Sequence, residues 1–394
     1  MLPNLPAYDF FAPSRIVFGW GRRVELGPLL RGLGRRVLLI SGSRTLTQNG
    51  TLNSLCESLT TAGIEAVHCG SISHEPEVPD VDILVSNLRT LNATDGDIIL
   101  GIGGGSAIDL AKAVAAMVTN DHGDSVRDFL EGVGKGLKIE RPPLPLVVLP
   151  TTSGTGSEAT KNAVISSYDP PFKKSLRSDM MVPRLVLIDP ELSVTVPPAV
   201  TAATGLDAIT QLIESNISCR AKPIPQALAI RGLEGVVPAL RRAYHTPDDR
   251  PARELLAQSA LLSGMALANS GLGVAHGIAA ALGVHCRITH GLACAMLLPT
   301  AIRINSEVQP TELARAMTAL TGRNWATAQT AIEAGLDLLE QLLDELKIPR
   351  HLAELGVQLE QLPAIVKSSH GNSLDGNPRS VSDSELLEIL HALY

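Results

Sequence analysis

The stretch Gly101–Lys112 (GIGGGSAIDLAK) sets the tightest limit on how this chain can fold. Asp97–Leu100 (DIIL) before it reads as a short buried strand. Ser106–Met117 after it reads as a helix, with Ile108, Ala111, Ala115 and Val118 on the 3.6-residue period. Glycines between a strand end and a helix start let backbone N–H groups turn outward and approach a ligand closely. The helix N-terminus adds partial positive charge, which suits a phosphate or pyrophosphate. Neither common fingerprint fits: GxGxxG would need Gly at 106, where Ser106 stands, and a P-loop would need Gly-Lys-Ser/Thr after four intervening residues. Spacing alone leaves two readings open, a phosphate cradle or a tight strand–helix turn.

The same alternation extends around this stretch. Residues 13–18 read as an edge strand, and Arg36–Ile40, Glu65–His68, Leu146–Leu149 and Leu185–Ile188 as further strands. Helices are expected near Thr51–Ala62 and Val81–Leu91. Strands alternating with helices imply parallel βαβ units with a ligand at the strands' carboxyl ends. Residues 119–145, rich in Gly, Pro and charge, are expected to wrap the surface. After Pro190 the texture changes: from Pro198 to Tyr394 the pattern is helical, punctuated by prolines, with no further strand. The expectation is an α/β domain over 1–192 and an all-helical domain over 193–394.

A chain of 394 residues, 45% apolar and 19% charged, can bury a sizeable core. A net charge of −7 without a long basic run argues against nucleic acid or an anionic membrane as partner. No apolar run approaches the roughly 20 residues that span a bilayer, and the N-terminus lacks the plan of a signal peptide. Five cysteines without a CxxC pair point to a reducing, cytoplasmic setting. Cys286 and Cys294 flank His290, a spacing that admits a thiolate metal site, although plain buried thiols are the simpler reading.

Pro150–Glu158 (PTTSGTGSE) follows a strand and crowds hydroxyls and glycines, as a second ligand-holding turn would; an ordinary capped loop has the same composition. Asp207 and Gln211 lie four residues apart and share a helix face, or one polar edge of it. In an unbroken helix His276 and His290 would lie about 21 Å apart. They converge only if the helix ends near Gly283 and the chain folds back, which Gly283 and the polar stretch His285–Thr289 permit. Joined by Asp207 they would suit Fe(II) or Zn(II), with positions left open for substrate.

In order along the chain, GGGSAIDLAKA (103–113), PPLPLVVLPTTSGTGSEAT (142–160), VLIDPEL (186–192), GLDAITQLIE (205–214), GVAHGIAAALG (273–283), ITHGLACAMLLP (288–299) and NPR (377–379) resemble the iron-containing alcohol dehydrogenase family. The resemblance implies a Rossmann-like parallel-sheet domain and a helical domain of the dehydroquinate synthase-like fold, with NAD(P) and a divalent metal in a cleft. Matched by position, it assigns Gly103, Gly104, Gly105 and Ser106 to the pyrophosphate of the cofactor and counts Asp109 among the cofactor-binding residues. Thr151, Thr152 and Thr155 would line the cofactor, Asn162 would approach the nicotinamide and Lys174 the ribose. Asp207, His276 and His290 match three metal ligands, and a homodimer is common in such proteins.

Three departures stand out. Gln211 occupies the place of a fourth ligand that is usually His, and an amide oxygen is a weaker donor than imidazole. Ala280 occupies the place of a second His, suspected of proton relay; His285 is the candidate replacement. Ser43, followed by Arg44, stands where NAD-preferring members tend to carry Asp, which favours NADP. The expected activity is hydride transfer between NAD(P) and a small alcohol or carbonyl compound. Its rivals are a polyol-phosphate dehydrogenase or cyclase on the same fold, and a metal-less nucleotide-binding protein.

Overall fold

A computed structural model describes residues 7–42 and 44–394, which form two compact units. The α/β unit comprises Ala12–Thr152 and Ser157–Val196. The helical unit comprises Pro197–Tyr394, the short segment Ser153–Gly156 and residues 7–11.

In the α/β unit, β1 (Arg15–Phe18), β2 (Arg36–Ser41), β3 (Glu65–Ser71), β4 (Asp97–Gly103), β5 (Leu146–Pro150) and β8 (Leu185–Ile188) form one sheet in the order β1-β8-β5-β4-β2-β3. Every pair is parallel. Each of the six strands read from the sequence is therefore in it. The central ones are apolar on both faces, as sheets covered on both sides require. The helices are α1 (Leu26–Leu30), α2 (Thr45–Gln48), α3 (Thr51–Thr61), α4 (Val78–Thr90) and α5 (Gly105–Thr119). Helix α4 begins three residues before the sequence reading. Glu77 and Asp80 close a reciprocal capping box there, an N-terminal signal independent of apolar period.

The antiparallel hairpin of β6 (Asn162–Tyr168) and β7 (Pro171–Arg177) was not expected from the sequence. It lies outside the main sheet and is tied to α5: Lys112, fully buried, donates from Nζ to the carbonyls of Thr160 and Asn162 and to the Thr160 hydroxyl, at 2.6–3.1 Å.

The helical unit has ten helices among its described residues: α6 (Pro198–Ile217), α7 (Pro223–Leu233), α8 (Val236–His245), α9 (Arg250–Ser270), α10 (Val274–Cys286), α11 (His290–Asn305), α12 (Pro310–Thr321), α13 (Ala328–Glu345), α14 (Leu362–Ser369) and α15 (Asp383–Ala392). Two apolar clusters fill it. One gathers α6 to α9 with α12 and α13; the other gathers α10, α14 and α15, and α11 supplies residues to both. Helix α6 packs on α7, α8, α9 and α11 and is buried without interruption from Gly205 to Ile217. Among the described residues no single helix is long and apolar enough to cross a membrane.

The segment 153–156 belongs to the helical unit because its glycines let backbone meet helix. A Cβ on Gly264 of α9 would lie 2.2 Å from the Gly156 carbonyl oxygen, and one on Gly154 would lie 2.5 Å from Thr204 Cβ of α6. The contact at Gly264 is backbone on backbone, with no side-chain rotamer to yield. Gly264→Ala is therefore expected to destabilise the protein by about 1–3 kcal/mol, the range for overpacked sites, read as a lower urea midpoint at unchanged slope.

Candidate metal centre and nucleotide cradle

In the α/β unit the strand order reverses between β2 and β4: β3 lies on one side of β2, and β4, β5 and β8 follow on the other. Ligands of open parallel sheets bind beyond the carboxyl ends of strands at such a reversal. The chain places Gly42 there after β2 and Gly103–Ser106 after β4. Gly103 has φ +153°, and a Cβ on it would lie 2.7 Å from Ala107 Cβ and 2.9 Å from Gly42 Cα. Gly104 is the N-cap of α5 and has no side chain to cap it, which leaves first-turn N–H groups for an anion.

The other expected cofactor residues are spread more widely. Thr152 lies against Gly104, and Thr151 N–H bonds to the Gly103 carbonyl at 2.9 Å. Thr155 belongs to the helical unit, where its carbonyl accepts from Gln211 Nε2 at 3.3 Å. Asn162 opens β6, and Lys174 pairs with Ile165 across the hairpin. Asp109 is buried, and its Oδ2 accepts the Val164 N–H at 3.0 Å, bracing β6 against α5. Ser43 lies outside the described residues.

In the helical unit α6 carries Asp207, Gln211 and Glu214, spaced so that one face presents all three, each at most 3% exposed. Buried polar groups need partners. Glu214 has three: its carboxylate accepts the N–H groups of Gly273 (2.9 Å) and Ala275 (2.8 Å) at the start of α10, and lies 2.7 Å from His276 Nδ1. A carboxylate only accepts, so Nδ1 carries a proton and Nε2 faces inward. There His276 Nε2 lies 3.3 Å from Asp207 Oδ1, and neither atom has a hydrogen-bond partner.

His290 joins them, its ring centroid 5.4 Å from that of His276. The chain folds back as the sequence required, within the polar stretch 285–289. Helix α10 runs on to Cys286, and Arg287 adopts the left-handed conformation (φ 56°), its N–H closing on the Gly283 carbonyl. Gly291 lets the start of α11 close on α6, since a Cβ there would lie 2.7 Å from the Ala203 carbonyl oxygen. Asn377 of the NPR segment pairs with Asn305 at the end of α11 through two hydrogen bonds and accepts the Val274 N–H, so it ties α10 to α11.

Donor atoms of Asp207, His276, His290 and Cys294 all lie within 4.8 Å of one another. Two of them are buried and unpartnered, which costs about 1–3 kcal/mol for each such group, and a divalent cation satisfies both. The donor set therefore fits a metal. Burial raises the Asp207 carboxyl, yet His276 and His290 outweigh it and hold the group below the usual carboxylate range. Burial pushes the Cys294 thiol up to about 12. His285 is not brought here. It lies nine residues along α10 from His276, about 13 Å of rise, and pairs with Ser368 at 2.8 Å. Glu214 was not among the expected site residues, although it follows Asp207 at the helical i+7 spacing, a legible signal; Cys294, whose spacing from His290 admitted a metal site, stands in the cluster, while Cys286 is not in it.

Glu214 sets the tautomer of His276, so its charge is expected to matter more than its bulk. Glu214→Gln is expected to lower metal affinity 10–100-fold, the usual cost of losing a ligand's orienting partner. Competition with a chelator measures it, and circular dichroism controls for folding.

The comparisons with known proteins agree with this geometry. The model of the iron-containing alcohol dehydrogenase family matches residues 13–190, and that of the family's C-terminal domain matches residues 201–394. Sulfoacetaldehyde reductase of Bilophila wadsworthia is 31% identical over 391 residues, covering 98% of this chain and 99% of the relative. Lactaldehyde reductase of Escherichia coli is 30% identical over 382 residues, covering 96% and 97%. The crystal structure of sulfoacetaldehyde reductase from Bifidobacterium kashiwanohense in complex with NAD+ superimposes with a TM-score of 0.86 at 27% identity, covering 98% of this chain and 99% of that one. With both halves matched by family models and the relatives aligned nearly end to end, this chain belongs to the iron-containing alcohol dehydrogenase family.

Proposed function

We propose that this chain is an NAD(P)-dependent dehydrogenase of small alcohols that also reduces the corresponding aldehydes, using a divalent cation held by Asp207, His276 and His290. The observation that carries the reading is the pair of buried, unpartnered donors, His276 Nε2 and Asp207 Oδ1, facing one another at 3.3 Å beside His290. When bound, the cation supplies Lewis acidity at the substrate oxygen and the nicotinamide supplies or accepts the hydride.

The protein's own part is positioning and charge. Asp207 brings a full negative charge to a buried place and anchors the cation to α6. Glu214 holds the His276 ring by Nδ1 and leaves Nε2 to donate. The N-terminus of α5, capped by Gly104 alone, takes the negative pyrophosphate. Ala280 offers a methyl group and His285 is engaged with Ser368, so neither supplies a base at the cluster. A reducing cytoplasmic setting suits the five cysteines, all of them free thiols. A homodimer is the assembly to test by sedimentation.

Asp207→Ala and His276→Ala are each expected to abolish turnover of simple alcohols and aldehydes, followed as NAD(P)H absorbance. Dinucleotide binding, followed by fluorescence, should be largely retained. Full rates in both variants would refute the mechanism. At the adenosine end, Arg44 supports a preference for NADP, since a guanidinium pairs with a 2′-phosphate. Arg44→Ala is expected to weaken NADPH binding roughly 10-fold, the loss of one charge-assisted hydrogen bond, and to leave NADH binding unchanged; equal effects on both cofactors would sink this preference.

A further inference from the structure

We propose that Cys294 is the fourth protein ligand of the cation, giving an aspartate, two-histidine, thiolate centre that selects Zn(II) over Fe(II). The proposal rests on the metal reading above and adds to it the identity of the last donor and hence of the metal.

Cys294 lies on α11 one helical turn after His290, so the two side chains share a face, and its Sγ lies 3.7 Å from His290 Nε2. It is fully buried, and its sulfur lies within 4.8 Å of donor atoms of Asp207, His276 and His290. Ligands around a tetrahedral zinc stand about 3.3–3.7 Å apart, as bond lengths of about 2.0–2.3 Å require. The separation of 3.3 Å between His276 Nε2 and Asp207 Oδ1 and that of 3.7 Å between His290 Nε2 and Cys294 Sγ both have this size.

Gln211 is the competing donor, and its amide is engaged at both ends. Oε1 accepts from the Ser263 hydroxyl at 2.7 Å, and Nε2 donates to the Thr155 carbonyl at 3.3 Å. Turning it to a cation would break these contacts inside the helical unit. The contact that Cys294 Sγ would give up, with His290 Nε2 at 3.7 Å, is to a fellow ligand.

Charge and softness point the same way. A carboxylate and a thiolate together neutralise a divalent cation, which matters in a buried site where net charge is costly. The thiol proton is released to solvent as the cation binds. A thiolate among imidazoles adds to the preference for zinc over iron that oxygen and nitrogen donors already give.

The test uses full-length protein stripped by a chelator and titrated with Co(II). One equivalent is expected to produce a sulfur-to-cobalt charge-transfer band in the near ultraviolet. Cys294→Ser should lose that band, and Gln211→Ala should keep it. X-ray absorption at the zinc edge of the unaltered protein removes any dependence on a variant's folding, and one sulfur is expected at about 2.3 Å. If cobalt and zinc bind at one equivalent with only oxygen and nitrogen neighbours, Cys294 is a core thiol; this inference is overturned and the metal reading stands. If neither metal binds, both fall together.

Discussion

The contact between Glu214 and His276 is the interaction on which the site depends. A single buried carboxylate accepts the first free N–H groups of α10 and holds the imidazole by Nδ1. The same contact thus starts a helix, places it against α6 and fixes which nitrogen is left to donate. Without it, His276 would have two tautomers and no fixed ring plane, and the facing Asp207 oxygen would have no defined partner.

Close approach of backbone is the second requirement. Gly291 admits the start of α11 to α6, and Gly156 and Gly264 press the 153–156 segment onto α9. In the α/β unit, Gly103 meets Gly42 where the strand order reverses. In each case the close approach exists because a Cβ is missing. Such positions fail by steric overlap, a cost that rises steeply with small displacements.

Much of this was legible in the sequence. Six strands, the helix after the glycine loop and the helical second half follow from apolar period and from the glycines and prolines that interrupt it. The fold-back that joins His276 to His290 was required by distance, and it falls in the polar stretch 285–289, where Arg287 makes the turn and the Gly283 carbonyl accepts the closing N–H. The β6–β7 hairpin escaped because its residues alternate weakly and lie outside the main sheet. Asp109 escaped as a brace because nothing in a carboxylate's letter beside a glycine loop tells that it accepts the Val164 N–H of a hairpin far along the chain.

The sequence by itself determined the six strands of the main sheet, the helical second half, the identity of Asp207, His276 and His290 as possible donors, and the family, because periodicity and motif order are properties of one dimension. The tertiary structure alone decided which donors meet. Cys294 enters the cluster and His285 does not, although both lie within nine residues of one of the histidines. That distinction depends on which helix face turns toward α6, and it is fixed by packing between elements far apart in the chain.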